Sequence, residues 1–243
     1  MNKVSVIIPV HNSSKYILEC LNSVVNQTYK NLEIIIVDDN SSDDSIDIVQ
    51  KVNDSRIKIV RLNENVGVAL ARNKGIDVST GDFICFLDSD DYWKLKKIEK
   101  QVKFIKNKSF IYSGYEYLKR GRKHFAKVPK IISYNQALKN TTIFTSTVMF
   151  NMKFLSKNDI YMPNIKRGQD TACWWKILKK NNFAYGITEP LSIYRVGDKS
   201  LSSNKFIALI RTWNLYRFEN ISFYKRVYYF FCYVFNAVKR RIF

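Results

Sequence analysis

The residues of this chain with the most chemical potential are acids that close apolar runs. Asp88, Ser89, Asp90 and Asp91 follow the run ending at Leu87, which places three carboxylates in four positions. Like charges crowded at the end of a buried strand oppose each other's ionisation unless a cation answers them. An all-oxygen donor set suits Mg2+ or Mn2+ rather than zinc, and such an ion held by one or two carboxylates keeps room for phosphate oxygens. The glycine and distal glutamate of a calcium-binding loop are missing at the needed spacing. A second apolar run ends in Val37-Asp38-Asp39-Asn40. Those acids either cap and solubilise the turn into the next helix or hydrogen-bond a nucleoside base or ribose, and the pattern alone leaves both open. A third run ends in Pro9-Val10-His11-Asn12. Here a proline fixes a loop leaving the sheet, and His11 is equally a plain loop histidine or a ligand contact.

These acids need a frame, and the first half of the chain supplies one. Residues 4–9, 33–37, 57–61 and 82–87 are β-branched or aromatic runs of strand length. Between them, 14–26 and 68–78 carry apolar residues at helical spacing, and Ser42 opens a further helix as its N-cap with Asp43 and Asp44 in the first turn. Strand and helix alternating at this rhythm predict parallel βαβ units in an α/β sheet, where ligands sit outside the carboxyl ends of the strands. The second half is less regular. A charged helix is expected over 93–106, strands over 110–118 and 146–150, a helix over 169–180, and short strands over 183–187 and 191–195. The two halves are expected to share one sheet.

The 243 residues carry 40 Lys and Arg against 21 Asp and Glu, a net charge of +19 that asks for an anionic partner. Residues 205–243 hold eight basic residues, one acidic residue and 13 aromatics, and read as two helices, 205–218 and 223–240. The longest uncharged stretch there, 227–238, would extend ~18 Å as a helix, short of the ~30 Å hydrocarbon layer. The segment is expected to rest on an anionic membrane surface, with packing against the domain or a dimer contact as the alternatives. Cys20, Cys85, Cys173 and Cys232 form no C-x-x-C pair, and His11 and His124 are the only histidines, which excludes a structural zinc site and suits reduced thiols in the cytoplasm. The N-terminal run lacks the length and cleavage site of a signal peptide.

Several enzyme classes lack their motifs. No G-x-x-x-x-G-K-[ST], G-x-G-x-x-G or G-x-S-x-G occurs. A nucleotidyltransferase is disfavoured because the loop after the first strand is Pro-Val-His-Asn instead of glycine-rich. Nucleic acid is disfavoured as a partner because the acidic strand ends would repel phosphate and no known binding module is present.

The segments SVIIPVHN at 5–12, IIIVDDNSSDDS at 34–45, NVGVALARNKGI at 65–76, GDFICFLDSDD at 81–91 and GQDTACWW at 168–175 occur in that order. Together they resemble the family 2 inverting glycosyltransferases of GT-A fold, over about residues 3–200. The resemblance implies a GT-A domain at 1–202, its nucleotide-sugar half about 1–108 and its acceptor half about 109–202, followed by basic aromatic helices at 203–243. It implies that Pro9, Val10, His11 and Asn12 line the base pocket and that Asp39 contacts the base. Arg72 would lie near the nucleotide. Asp88, Ser89 and Asp90 would form the DXD element, with Asp88 toward ribose or sugar and Asp90 toward Mn2+ or Mg2+. Asp170 would be the general base. Trp174, Trp175 and Arg195 would lie on the acceptor side, one tryptophan stacking on a sugar and the other in the core, with Arg195 either helping to hold phosphate or merely pairing with a surface carboxylate. The donor implied is a nucleotide-sugar, UDP-linked, and the acceptor a glycan or lipid-linked glycan of a bacterial surface polysaccharide, at the inner face of the cytoplasmic membrane. Two departures stand out: Gln169 precedes Asp170 where relatives carry Glu, and no histidine stands near Gly197, so that Asp198, water or the diphosphate would complete the metal shell. The Q-x-x-R-W signature of processive synthases is also missing, which favours single addition.

Overall fold

The structure is a computed structural model, which describes residues 2–119, 122–140, 142–195 and 205–242. The expected alternation is present in the first half: β1 (Val4–Val10), α1 (Ile17–Val25), β2 (Leu32–Asp38), α2 (Ser45–Gln50), β3 (Ile57–Arg61), α3 (Val68–Val78) and β4 (Phe83–Phe86). Strands β2 and β4 flank β1 in parallel, and β3 extends β2 in parallel. The second half adds β5 (Tyr92–Trp93), α4 (Lys97–Ile105), β6 (Phe110–Lys119), β7 (Arg122–Ala126), β8 (Ile131–Ser133), α5 (Tyr134–Lys139), a 3-10 turn (Thr145–Thr147), β9 (Met149–Asn151), α6 (Lys157–Ile160), α7 (Gln169–Asn181) and β10 (Phe183–Arg195). Both halves do share one sheet, in the order β3-β2-β1-β4-β9-β6-β10-β5, with β7 on β6 and β8 on β10. β9 joins them, antiparallel to both β4 and β6.

Alternation along the strands builds two cores. Val6, Ile8, Ile34 and Ile36 face one side with Ile17 and Leu21 of α1 and Ile98 of α4. Ile7, Ile35 and Val37 face the other with Ala71 and Ile76 of α3 and most of the apolar residues of α7. A central sheet covered on both faces keeps β1 and β2 buried along their whole length, hence their unbroken apolar sequence. This α/β/α sandwich is the GT-A architecture.

Four expectations change in detail. Helix α2 begins at Ser45, not after Ser42, because the Asp43 carboxylate accepts from the Ser14 amide at 2.9 Å and the Ser45 amide at 3.0 Å and so closes two loops together. The helix expected from 93 begins at Lys97: Tyr92 and Trp93 pair with β10 as a short strand, and the Trp93 indole donates to the Ser146 carbonyl at 2.8 Å. The two strands expected at 183–195 are one strand, β10, whose register with β6 slips on either side of Pro190, a residue with no amide to donate. The strand expected at 146–150 is shortened to Met149–Asn151 because 145–147 form the 3-10 turn.

The tail forms α8 (Lys205–Phe218) and α9 (Phe223–Ile242) as expected. Helix α8 packs on the domain: Thr212, Leu215 and Tyr216 are buried, Tyr216 stacks on Trp175 at 5.6 Å and its hydroxyl donates to the Leu138 carbonyl at 2.6 Å. Among the described residues no helix is long and apolar enough to cross a membrane.

Candidate active site

The carboxyl ends of β1, β2 and β4 lie side by side because the three strands are adjacent and parallel. That adjacency brings three of the sequence-selected loops together. The Asp39 amide donates to the Val10 carbonyl at 2.8 Å, and the Leu87 amide to the Ile7 carbonyl at 3.0 Å. Asn12, in the left-handed region at φ 49°, accepts from the Ser42 amide at 2.8 Å. Ser13 and Ser89 share a hydroxyl hydrogen bond at 2.7 Å.

The loop around Asp39 is built with care. Its carboxylate is 3% exposed and accepts from the amides of Val66 at 2.7 Å and Gly67 at 2.9 Å, one on each oxygen. Asp39 therefore shapes the 65–67 turn at the start of α3 as well as facing the loop cluster. His11 donates from Nδ1 to the Asp39 carbonyl at 2.8 Å and accepts at Nε2 from Asn65 at 3.0 Å, an arrangement that suits the Nδ1-protonated tautomer. Pro9 is buried at the strand end, and Val10 turns its side chain into the core beside α1, so Val10 contributes its carbonyl rather than a pocket wall.

The acidic loop divides its three carboxylates among three environments. Asp88 is ion-paired with Arg72, whose guanidinium is buried beneath it. Asp91 is 1% exposed; it accepts from the Ser146 hydroxyl at 2.5 Å and from the Arg195 amide at 3.3 Å. Burial, then Asp88 and Asp90, hold its carboxyl well above the usual carboxylate range. Asp90 is open to solvent, though crowded by protein. That crowding, and then the negative charge of Asp88, raise its carboxyl.

A divalent ion suits this donor set. The loop carries more negative charge than Arg72 neutralises, and Asp90 is exposed. Among the described residues no cluster of three or more His, Cys, Asp or Glu is arranged to hold a metal. With Asp88 paired to Arg72 and Asp90 exposed, the loop has one or two protein oxygens to offer an ion, leaving substrate oxygens and water to complete its shell. Asp198, expected as one candidate for that shell, lies outside the described residues.

Asp170 is in the first turn of α7, two residues after Gly168, whose φ of +80° caps the helix in a conformation glycine adopts without strain. Its Oδ1 accepts from the Thr171 amide at 2.6 Å, and its Oδ2 from the Thr145 hydroxyl at 3.3 Å. The next residue, Ser146, accepts from the Asp88 amide at 3.1 Å while donating to Asp91. Its carbonyl also receives Trp93 at 2.8 Å and Ser192 at 2.9 Å. The 3-10 turn therefore bridges Asp170 and the acidic loop. Sequence reasoning passed over Thr145 and Ser146, and no local pattern marks them.

Two acceptor-side expectations are corrected, the tryptophan stacked on a sugar and the acceptor-side place of Arg195; the second tryptophan is core as expected, and Arg195 takes its alternative role of pairing with a carboxylate. Trp174 and Trp175 are 2% and 1% exposed. Trp174 packs against Phe110 and Phe150, Trp175 against Tyr216, and neither ring offers a face to a sugar. The Arg195 side chain leaves the acceptor half to pair with Glu19 of α1, lying over the rings of Tyr16 and Tyr92.

An α/β sandwich with acidic loops at the carboxyl ends of its parallel strands and an acid on a facing helix defines a GT-A glycosyltransferase. Residues 5–162 match the family model described as Glycosyl transferase family 2, and the chain belongs to that family. It is 42% identical over 247 residues, 98% of this chain and 97% of the other, to TuaG of Bacillus subtilis (strain 168), which bears the name of a teichuronic acid biosynthesis glycosyltransferase. It is 37% identical, over 100% of this chain and 97% of the other, to WfaP of Escherichia coli, named a UDP-Glc:alpha-D-GlcNAc-diphosphoundecaprenol beta-1,3-glucosyltransferase. The fold is similar to the crystal structure of S. aureus TarS 1-349 in complex with UDP-GlcNAc, at TM-score 0.75 and 24% identity, covering 89% of this chain and 65% of that one. It is also similar to the mannosyltransferase PcManGT from Pyrobaculum calidifontis in complex with GDP-Man and Mn2+, at TM-score 0.71 and 19% identity, covering 91% of this chain and 65% of that one.

Proposed function

We propose that this glycosyltransferase moves a sugar, with inversion, from a UDP-linked donor to a hydroxyl of a lipid-linked glycan during assembly of a bacterial surface polysaccharide. The observation that carries this is the turn Thr145-Ser146, which ties Asp170 on one side to Asp88 and Asp91 on the other. Donor and acceptor chemistry would meet across that turn. Support for the substrates comes from WfaP, whose name joins UDP-Glc, a diphosphoundecaprenol acceptor and a β-linkage. UDP-glucose carries its sugar in α-linkage, so a β product requires inversion.

In this reading the base and ribose lie among Pro9, His11, Asn12, Asp39 and the 65–67 turn. Arg72 fixes Asp88 toward the ribose or sugar, with Ser89 beside it, and Asp90 would hold Mn2+ or Mg2+. A bound divalent ion would neutralise charge on the departing nucleoside diphosphate. Asp170 accepts the proton of the acceptor hydroxyl, whose oxygen attacks the anomeric carbon from the face opposite the diphosphate. The enzyme would work on the inner face of the cytoplasmic membrane, brought to its anionic surface by residues 205–243.

The test is turnover of a panel of UDP-, GDP- and dTDP-sugars with Mn2+ or Mg2+ and a GlcNAc-diphospholipid acceptor, with donor binding followed in parallel by thermal shift. Nucleotide release with a UDP-sugar, abolished by EDTA and by Asp90→Ala, is expected. Asp170→Asn should retain donor binding while losing about 100-fold or more in kcat. If no nucleotide-sugar binds with or without metal, the reading fails.

A further inference from the structure

Helix α9 has two faces of different character. Its inward face is tied to α5: Tyr233 is buried, Tyr229 donates to Asn135 at 3.1 Å and Asn236 to the Lys139 carbonyl at 3.1 Å. On the outward face Tyr224, Tyr228, Phe231, Phe235 and Val238 recur every three or four residues and form one stripe along the helix. Their exposures are 86, 54, 70, 70 and 50%. Single exposed apolar side chains need no explanation, but a continuous row of this size marks a contact surface.

Charge identifies what covers it. Glu219 is the only acid in residues 205–243, and it turns inward, buried against Lys179 and accepting from Tyr134. No acid is therefore left on the outward face. Lys225 is exposed next to the stripe, Lys139 donates to the Tyr228 hydroxyl at 3.0 Å, and the sequence adds Lys239, Arg240 and Arg241 at the helix end.

We propose that the outward stripe of α9 lies in the headgroup region of an anionic membrane, with the helix parallel to the surface. Aromatic rings flanked by lysine and arginine match that boundary, where the rings reach the acyl edge and the cations stay with the lipid phosphates. A second copy of the chain is a poorer occupant, since two basic stripes without an acid would repel. The attachment also reaches the reaction centre. Leu215 of α8 packs directly on Gly168, and Tyr216 on Trp175, so the tail is braced against the end of α7 that carries Asp170. A bilayer holding α9 would thus hold that helix end at a set height above the lipid. This deepens the membrane-surface part of the reading above, and its test requires no turnover.

The experiment is co-sedimentation of the full chain with vesicles of phosphatidylcholine containing about a third phosphatidylglycerol, against phosphatidylcholine alone. The chain should sediment with the anionic vesicles and be released by salt. The double variant Phe231→Ser, Phe235→Ser should partition on the order of tenfold more weakly, because two insertion anchors are lost. Lys225→Glu should weaken binding to anionic vesicles alone. Light scattering should report a monomer, and thermal shift with UDP should match between wild type and double variant. Equal sedimentation of wild type and double variant overturns the proposal. So does a dimer that the double variant dissociates, which would assign the stripe to self-association. Loss of vesicle binding with UDP binding intact leaves the transferase reading standing, so the two failures are distinguishable.

Discussion

Ser146 makes four hydrogen bonds, two to the loop after β4 and one each to β5 and β10. Its hydroxyl is the side-chain donor to the buried Asp91. Removing it strands a buried acceptor, which costs about 1–3 kcal/mol. Ser146→Ala should therefore lower the unfolding free energy by that amount and raise the Mn2+ concentration needed for half-activation, because the Asp88–Asp90 loop loses its anchor. Thr145→Val should differ in kind. It keeps the shape and removes the hydroxyl that Asp170 accepts, so kcat should fall while donor KM and metal activation hold, and Thr145→Ser should restore kcat. Steady-state kinetics with metal titrations would decide; equal losses of kcat and metal affinity in both variants would count against separate roles. At this scale the acids were legible, because a carboxylate ending an apolar run is an anomaly that sequence displays. Thr145 and Ser146 were not, since their partners lie 25 to 58 positions away. The expectation that one of Trp174 and Trp175 stacks on a sugar failed for a related reason. Seven of the 13 residues of α7 are buried, and a helix wrapped so fully leaves neither tryptophan an open face.

At the scale of elements, parallel units with short connections were read closely, and errors arose where a partner strand or loop decided the outcome. Trp93 carries no local mark of a strand; β10 recruits it. The capping boxes Ser133/Gln136 and Ser156/Asp159 that start α5 and α6 are visible patterns that the reading passed over. Helix α4 holds a further consequence. Lys97 is fully buried, donating to Gln101 at 2.6 Å with its ammonium 3.7 Å from the centre of the Trp93 ring. Burial lowers its pKa to about 8, against about 10.4 for a free lysine. Below pH 8 both folded and unfolded chains hold the proton, and the cost of burying the charge is constant. Between pH 8 and about 10.4 the unfolded chain binds more protons than the folded one, so this group makes stability rise with pH, by up to about 3 kcal/mol. Urea unfolding from pH 7 to 10 should show that rise in the wild type relative to Lys97→Met. Parallel pH curves for the two proteins would remove Lys97 as its source.

For the whole molecule, the charge asymmetry that the composition displayed hid a division of labour inside the tail. Residues 205–243 read as one basic aromatic segment, yet α8 supplies core and α9 supplies surface. The obvious truncation before residue 205 is consequently a poor probe of membrane contact. It would strip Leu215 from Gly168 and Tyr216 from Trp175 and from the Leu138 carbonyl, opening the apolar face of α7 to water. Large-to-small changes at buried aromatic sites cost about 3–5 kcal/mol each, a sizeable share of the roughly 5–15 kcal/mol that stabilises a domain. A chain ending at residue 204 should therefore unfold at least about 10 °C lower or aggregate on expression, and any folded fraction should lose kcat because the α7 end carrying Asp170 is no longer braced. A chain ending at residue 222 keeps α8 and should lie between the two. Scanning calorimetry of the three lengths separates the contributions. If the 204-residue chain melts with the full-length protein, α8 is dispensable and the coupling of the tail to Asp170 fails with it.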